Sequence, residues 1–161
     1  MQAPAKLTNQ QKQRFGKLFA LLRRRKSSAD DVLAEEMHEQ VFASTNCLTC
    51  ANCCKTHPPL LKERDIRVIA KHLHLTQAQF IAQYAMLDED GDWVMYTVPC
   101  PFLLADNACS IYEVRPNACR AYPHTNHKKL YQIADITLKN AEICPAVAPI
   151  LDAIMAKLEQ S

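Results

Sequence analysis

The stretch "TNCLTCANCCKTHPP", residues 45–59, sets four cysteines into eight consecutive positions: Cys47, Cys50, Cys53 and Cys54. A C-x-x-C turn places two thiolates on one side of a tight loop, so the Cys47, Cys50 and Cys53 triple offers three soft ligands from one short segment. That triple opens like a bacterial ferredoxin site, whose remote cysteine is followed by proline, and both Cys100–Pro101 and Cys144–Pro145 are such pairs. Zinc accepts four sulfurs equally well. The run lacks carboxylates, which speaks against Ca²⁺ and Mg²⁺. Metal binding, thiol exchange and a disulfide framework are the three chemistries to separate.

The doubled cysteine is the awkward feature. In extended backbone, neighbouring side chains point to opposite faces, so one tetrahedral centre is not expected to use both Cys53 and Cys54. The pair then feeds two metal sites, includes a core bystander, or includes a redox partner.

The chain has 161 residues, 48% of them hydrophobic, enough for one domain with a core of its own. A formal charge of +2 gives no reason to expect nucleic acid. Two glycines, Gly16 and Gly91, exclude a P-loop or a dinucleotide fingerprint. The apolar run "LFALL" near the N-terminus is too short for a secretory signal, and no run reaches the length of a membrane span. The expected location is the cytoplasm, with no membrane association. In that reduced compartment the eight cysteines argue for metal or redox work over disulfides.

Along the chain, a helix is expected from about Asn9 to Lys26, with Phe15, Leu18, Phe19 and Leu22 inward and a solvated basic end at Arg23–Lys26. Ser27 and Ser28 cap a second helix carrying Leu33, Met37 and Val41. Beyond Pro59, one helix is expected with Leu61, Asp65, Ile66, Ile69, Ala70 and Leu73 along one apolar face, and Thr76 with Gln79 opens another, carrying Phe80, Ile81 and Tyr84. "LDEDGDW" fails as an EF-hand: Gly91 stands too early and Pro99 replaces the closing glutamate. It reads as a polar turn before a strand at residues 93–98, with a hairpin expected from residues 102–104 and 108–112. Pro116 starts a short helix that Pro123 ends, and the tail is helical, packing through Ile150, Leu151, Ile154, Met155 and Leu158. Cys119 sits in the turn opened by Pro116, where helix amides favour a thiolate. His72 and His74 read as solvated, and His57, His124 and His127 are the histidines able to replace a thiolate.

The segments "CLTCANCC", "PCPFL", "ACSIYEVRPNACRAYP" and "ICP" together resemble the YkgJ-type cysteine-cluster family, a zinc- or iron-chelating domain, over about Cys47 to Pro145. The resemblance implies that Cys47, Cys50, Cys53, Cys54, Cys100, Cys109, Cys119 and Cys144 form the metal site or sites. It also implies that Arg115, Arg120 and Tyr122 support them, with Pro116 at a special position. Flagellin lysine methylases share the cysteine pattern and are associated with an iron–sulfur cluster. This chain lacks glycine-rich SAM-binding sequence, so methyl transfer is not carried over.

The expected fold is mainly α (α+β), an irregular helical domain with a small β-hairpin, organised around a cysteine-ligated metal site. Residues 1–45 form N-terminal helices, 46–145 the cysteine-cluster region and 146–161 a C-terminal helix, within one compact domain. The expected function is chelation of an iron–sulfur cluster (4Fe–4S, slightly preferred) or Zn²⁺, in a structural or electron-transfer role. A thiol-based redox protein and a metal chaperone or adaptor are the alternatives. A thioredoxin fold is disfavoured, because the C-x-x-C follows no strand of a βαβ unit. No catalytic constellation is recognised.

Overall fold

The computed structural model describes residues 6–160. In chain order its helices and strands are α1 (Asn9–Arg25), α2 (Ser28–Phe42), α3 (Asn52–Thr56), α4 (Glu63–His72), α5 (Gln77–Tyr84), β1 (Ala85–Leu87), β2 (Trp93–Met95), α6 (Asn117–Ala121), α7 (Ala134–Ala141) and α8 (Val147–Glu159). The fold is mainly helical with one two-stranded antiparallel hairpin. The chain divides into two compact units, residues 1–47 with 123–161, and residues 48–122.

The first unit is built on α1, α2, α7 and α8. Thr8 caps α1 reciprocally with Gln11: the Gln11 N–H donates to Thr8 Oγ1 at 3.2 Å, and the Thr8 N–H donates to Gln11 Oε1 at 2.9 Å. Helical spacing then places Phe15, Leu18, Phe19 and Leu22 on one buried stripe. They meet Ala34 and Met37 of α2 and Val147, Ile150, Leu151 and Ile154 of α8 in a single apolar cluster. Ser27 caps α2 through the Ala29 N–H, as its sequence predicts. Arg23, Arg24 and Arg25 fall in the last turn of α1, and Arg25 Nε donates to the buried Asp30 carboxylate at 3.1 Å.

A polar contact inside this unit sets a pH response. His38 Nδ1 lies 2.7 Å from Oγ1 of the fully buried Thr125. Burial pushes the His38 pKa below its ordinary 6.5, while the charges of Glu39 and Glu35 oppose that shift. The unfolded chain therefore takes up this proton first. Stability is complete above about pH 6.5 and declines as pH falls through the lowered folded value. The denaturant midpoint is expected to drop between neutral and mildly acidic pH, and His38→Gln to flatten that part of the profile.

The second unit is built on α3, α4, α5, the hairpin and α6. Leu61, Ile66, Ile69, Ala70, Phe80, Met95, Phe102 and Ile111 form its apolar cluster. The capping box expected at Thr76 is present: Gln79 N–H donates to Thr76 Oγ1 at 3.2 Å and Thr76 N–H to Gln79 Oε1 at 2.8 Å. Thr76→Ala is expected to cost about 1 kcal/mol of stability, read from the denaturant midpoint.

The hairpin lies one segment earlier than the sequence suggests. Residues 85–87 leave α5 and pair with residues 93–95 in the register Ala85↔Met95, Met86↔Val94 and Leu87↔Trp93. The polar turn makes the pairing: Asp88 Oδ1 accepts the N–H groups of Asp90 and Asp92, and Gly91 takes φ +81°. Residues 102–104 and 108–112 form only a single bridge, Leu103↔Cys109, between the Leu104 N–H to Ala108 C=O and Ser110 N–H to Phe102 C=O bonds. Tyr112–Val114 turns into a 3₁₀ helix, which cuts that ladder short.

Candidate metal centre

Midway through the cysteine run stands Ala51, a buried non-glycine residue at φ +49°, ψ +23°. That left-handed conformation is unfavourable for alanine. It turns the chain from the 3₁₀ turn Cys47–Thr49 into α3. Lys55 Nζ donates to the Cys50 carbonyl at 3.1 Å and closes the turn. The helix lasts until Thr56, where His57 is extended ahead of Pro58.

Because Cys53 and Cys54 lie on a helix, their side chains are about 100° apart around its axis and not on opposite faces. The two sulfurs are 3.9 Å apart. Two thiolates on one tetrahedral zinc, with Zn–S bonds of about 2.3 Å, stand ~3.8 Å apart. The expectation that one centre is unable to use both residues rested on extended backbone, and the backbone here is helical.

The other cysteines of this unit arrive on separate loops. The Cys100 N–H donates to the Cys54 carbonyl at 2.8 Å, fixing the Cys100–Pro101 turn beside α3. The backbone N–H groups of Phe102 and Leu103 hydrogen-bond the Cys100 sulfur, and that of Ile111 hydrogen-bonds the Cys109 sulfur. Asn107 Nδ2 donates to the Leu48 carbonyl at 2.7 Å and ties the Cys109 loop to the start of the run. Cys119 is on α6, whose first N–H, from Asn117, donates to Asp65 Oδ1 at 3.1 Å. The other oxygen of Asp65 accepts the Lys62 N–H at the start of α4. One carboxylate thus aligns the starts of two helices. The expectation that Asp65 lies on the apolar face of this helix is thereby corrected: its carboxylate serves two helix starts instead.

The thiols feel one another. Cys54 is drawn down to about 7, first by its hydrogen bond with Cys53; burial opposes this and Lys55 assists. Burial raises Cys100 and Cys109 above the ordinary thiol value, and the charge of Cys54 adds to both shifts against the amide hydrogen bonds. Cys119 is pushed up to about 12, by burial first and then by the charges of Cys54, Cys100 and Cys109. The expectation that helix amides make Cys119 a ready thiolate therefore fails. Its helix has only five residues, and burial outweighs it.

Arg115 supplies the opposing charge, lowering Cys109 and Cys119. Its guanidinium sits 3.7 Å over the Tyr112 ring, and its Nη1 donates to the Tyr112 carbonyl at 2.8 Å. Arg120 braces the same loop, donating through Nε to the Arg115 carbonyl at 3.2 Å and through Nη2 to the Glu113 carbonyl. Tyr122 closes α6.

Cys47 and Cys144 belong to the first unit, where the Cys144 N–H donates to the Asn140 carbonyl at 2.7 Å and its side chain packs on the apolar cluster. His57 is exposed, and His124 is half-buried with its pKa lowered by burial, then by His127. Among the described residues, no three His, Cys, Asp or Glu side chains stand at ligand spacing around one point. The second unit thus brings Cys54, Cys100, Cys109 and Cys119 within electrostatic reach of one another, with one close pair at Cys53 and Cys54, and not into a finished ligand shell.

A family model described as "CxxCxxCC: Putative zinc- or iron-chelating domain" matches residues 46–145. The chain belongs to the CxxCxxCC family. The matched stretch is the one delimited by the cysteine motifs, and it contains all eight cysteines. No curated protein and no solved structure matched the chain. The donor chemistry fits the family's description: thiolates are soft ligands suited to zinc and iron, and at Cys100 and Cys109 backbone amides, with Arg115 at Cys109, partly offset the burial that raises these thiols.

Proposed function

We propose that this CxxCxxCC protein holds zinc or iron through thiolates of its second unit, with Cys53 and Cys54 on the same metal atom. The carrying observation is the 3.9 Å separation of those two sulfurs on α3. The two further sulfurs of a four-thiolate site come from among Cys100, Cys109 and Cys119, all of which feel the charge of Cys54. Cys50 stays on the turn that Lys55 closes, and Cys47 and Cys144 complete the family's set in the first unit.

A cubane gives each iron one cysteine. A cysteine pair on one metal atom therefore favours a single ion, or one iron of a [2Fe–2S] cluster, over the four-iron cluster suggested by the Cys47, Cys50 and Cys53 triple. A four-thiolate ion is coordinatively closed and supplies cross-linking of loops, whereas iron adds one-electron transfer. The closed shell and the lack of an H-E-x-x-H set favour a structural or electron-carrying role over hydrolysis. Among the described residues no helix is long and apolar enough to cross a membrane, and a cytoplasmic location is part of the proposal.

The test is metal and acid-labile sulfide analysis of anaerobically purified protein. Bound zinc, or iron with at most two sulfides per chain, agrees with the proposal. Four irons with four sulfides per chain contradicts the shared metal atom, and absence of any stoichiometric metal contradicts chelation itself.

A further inference from the structure

The hairpin presents an apolar face on its outer side, where a solvated sheet is ordinarily polar. Met95 and Trp93 turn inward to the core of the second unit. The alternate residues Met86, Val94 and Tyr96 share the other face, joined by Leu60, which bridges Val94 on the far side of β2, and by Val98 beyond the strand. Exposure of Leu60, Met86, Tyr96 and Val98 runs from 37% at Leu60 to 62% at Tyr96. A groove of ≈ 450 Å³ lies over this face.

Two further features say what would occupy it. The Tyr96 N–H to Tyr84 C=O and Asp88 N–H to Asp92 C=O bonds fix the alternation of the ladder. Leu87 therefore directs its N–H and C=O away from β2, along an open outer edge. At the same end, Asp88 and Glu89 line the groove, and Asp90 and Asp92 follow in the same acidic turn. Among the described residues none of these carboxylates is in an ion pair.

We propose that this groove docks a short extended segment of a partner protein, one that lays apolar side chains on Met86, Tyr96 and Val98 and sets Lys or Arg against the acidic turn. Charge complementarity selects a basic segment, and the open β1 edge selects an extended one. A second copy of this chain fits less well. The strands are only three residues long, which leaves little edge for two copies to pair along.

The test uses the full metal-loaded chain and two fluorescein-labelled peptides, KKVLFKR and EEVLFEE, followed by anisotropy. KKVLFKR is expected to bind saturably, at least about tenfold tighter than EEVLFEE, and more weakly as salt rises. The paired substitution Met86→Ser with Tyr96→Ser should weaken it about tenfold or more. Glu89→Lys with Asp90→Lys should abolish the preference for the basic peptide. These side chains are exposed, so circular dichroism and metal content should match the parent. Equal binding of both peptides, no saturable binding, or binding unchanged in both variants overturns the proposal. So does a dimer in sedimentation that Met86→Ser with Tyr96→Ser dissolves, which would assign the face to a second copy.

Discussion

Cys53→Ser and Cys54→Ser are each expected to lower the bound zinc or iron at least about tenfold under competition with a chelator. Each removes one of two sulfurs that stand 3.9 Å apart on α3. Serine keeps the shape but offers a neutral, harder oxygen that zinc and iron bind poorly beside thiolates. Cys54→Ser should be the more damaging. Cys54 is the residue whose charge reaches Cys100, Cys109 and Cys119, and its carbonyl receives the Cys100 N–H. Lys55→Gln is the comparison: it removes a nearby charge and the bond to the Cys50 carbonyl but no sulfur, so its loss should be smaller. Metal content equal to the parent in both serine variants would remove α3 from the centre.

Stripping the metal with a strong chelator under reducing conditions should loosen the second unit far more than the first. Its cysteines lie on three separate pieces of chain, residues 50–54, 100–109 and 119, which a shared ion would cross-link. Small zinc domains unfold outright without metal, but this unit keeps an apolar cluster around Ile69, Phe80 and Met95. The expected result is therefore local opening and not global unfolding. Amide exchange in α3, in the Cys109 loop and in α6 should rise about a hundredfold. Amides of α1 and α8, held by Phe15, Leu18, Ile150 and Ile154 in the other cluster, should change little. A uniform rise in both units, or none in α3, would contradict a cross-linking role.

The helices were legible because their signals are local. The Thr76 capping box and the Phe15, Leu18, Phe19 and Leu22 stripe formed as their spacing predicts. The hairpin was misplaced because Met86 and Leu87 continue the apolar pattern of α5, while the Asp88 side chain and Gly91 reverse the chain just beyond them. At the site, residue types were legible and geometry was not. Whether Cys53 and Cys54 diverge or meet depends on the backbone between Ala51 and Pro58, and a left-handed alanine gives no sequence signal. Asp65 shows the same limit, since its bond to the Asn117 N–H spans distant parts of the chain. Cys119 was misjudged by weighing helix amides without burial.

The central claim is that neighbouring cysteines of α3 bind one metal atom. Anomalous diffraction at the metal edge, from crystals of anaerobically purified protein, tests it most directly. The prediction is one metal atom bonded to both Cys53 Sγ and Cys54 Sγ, at about 2.3 Å if the metal is zinc. A peak bonded to one of them with the other sulfur turned away, or two peaks that divide the pair, would contradict it.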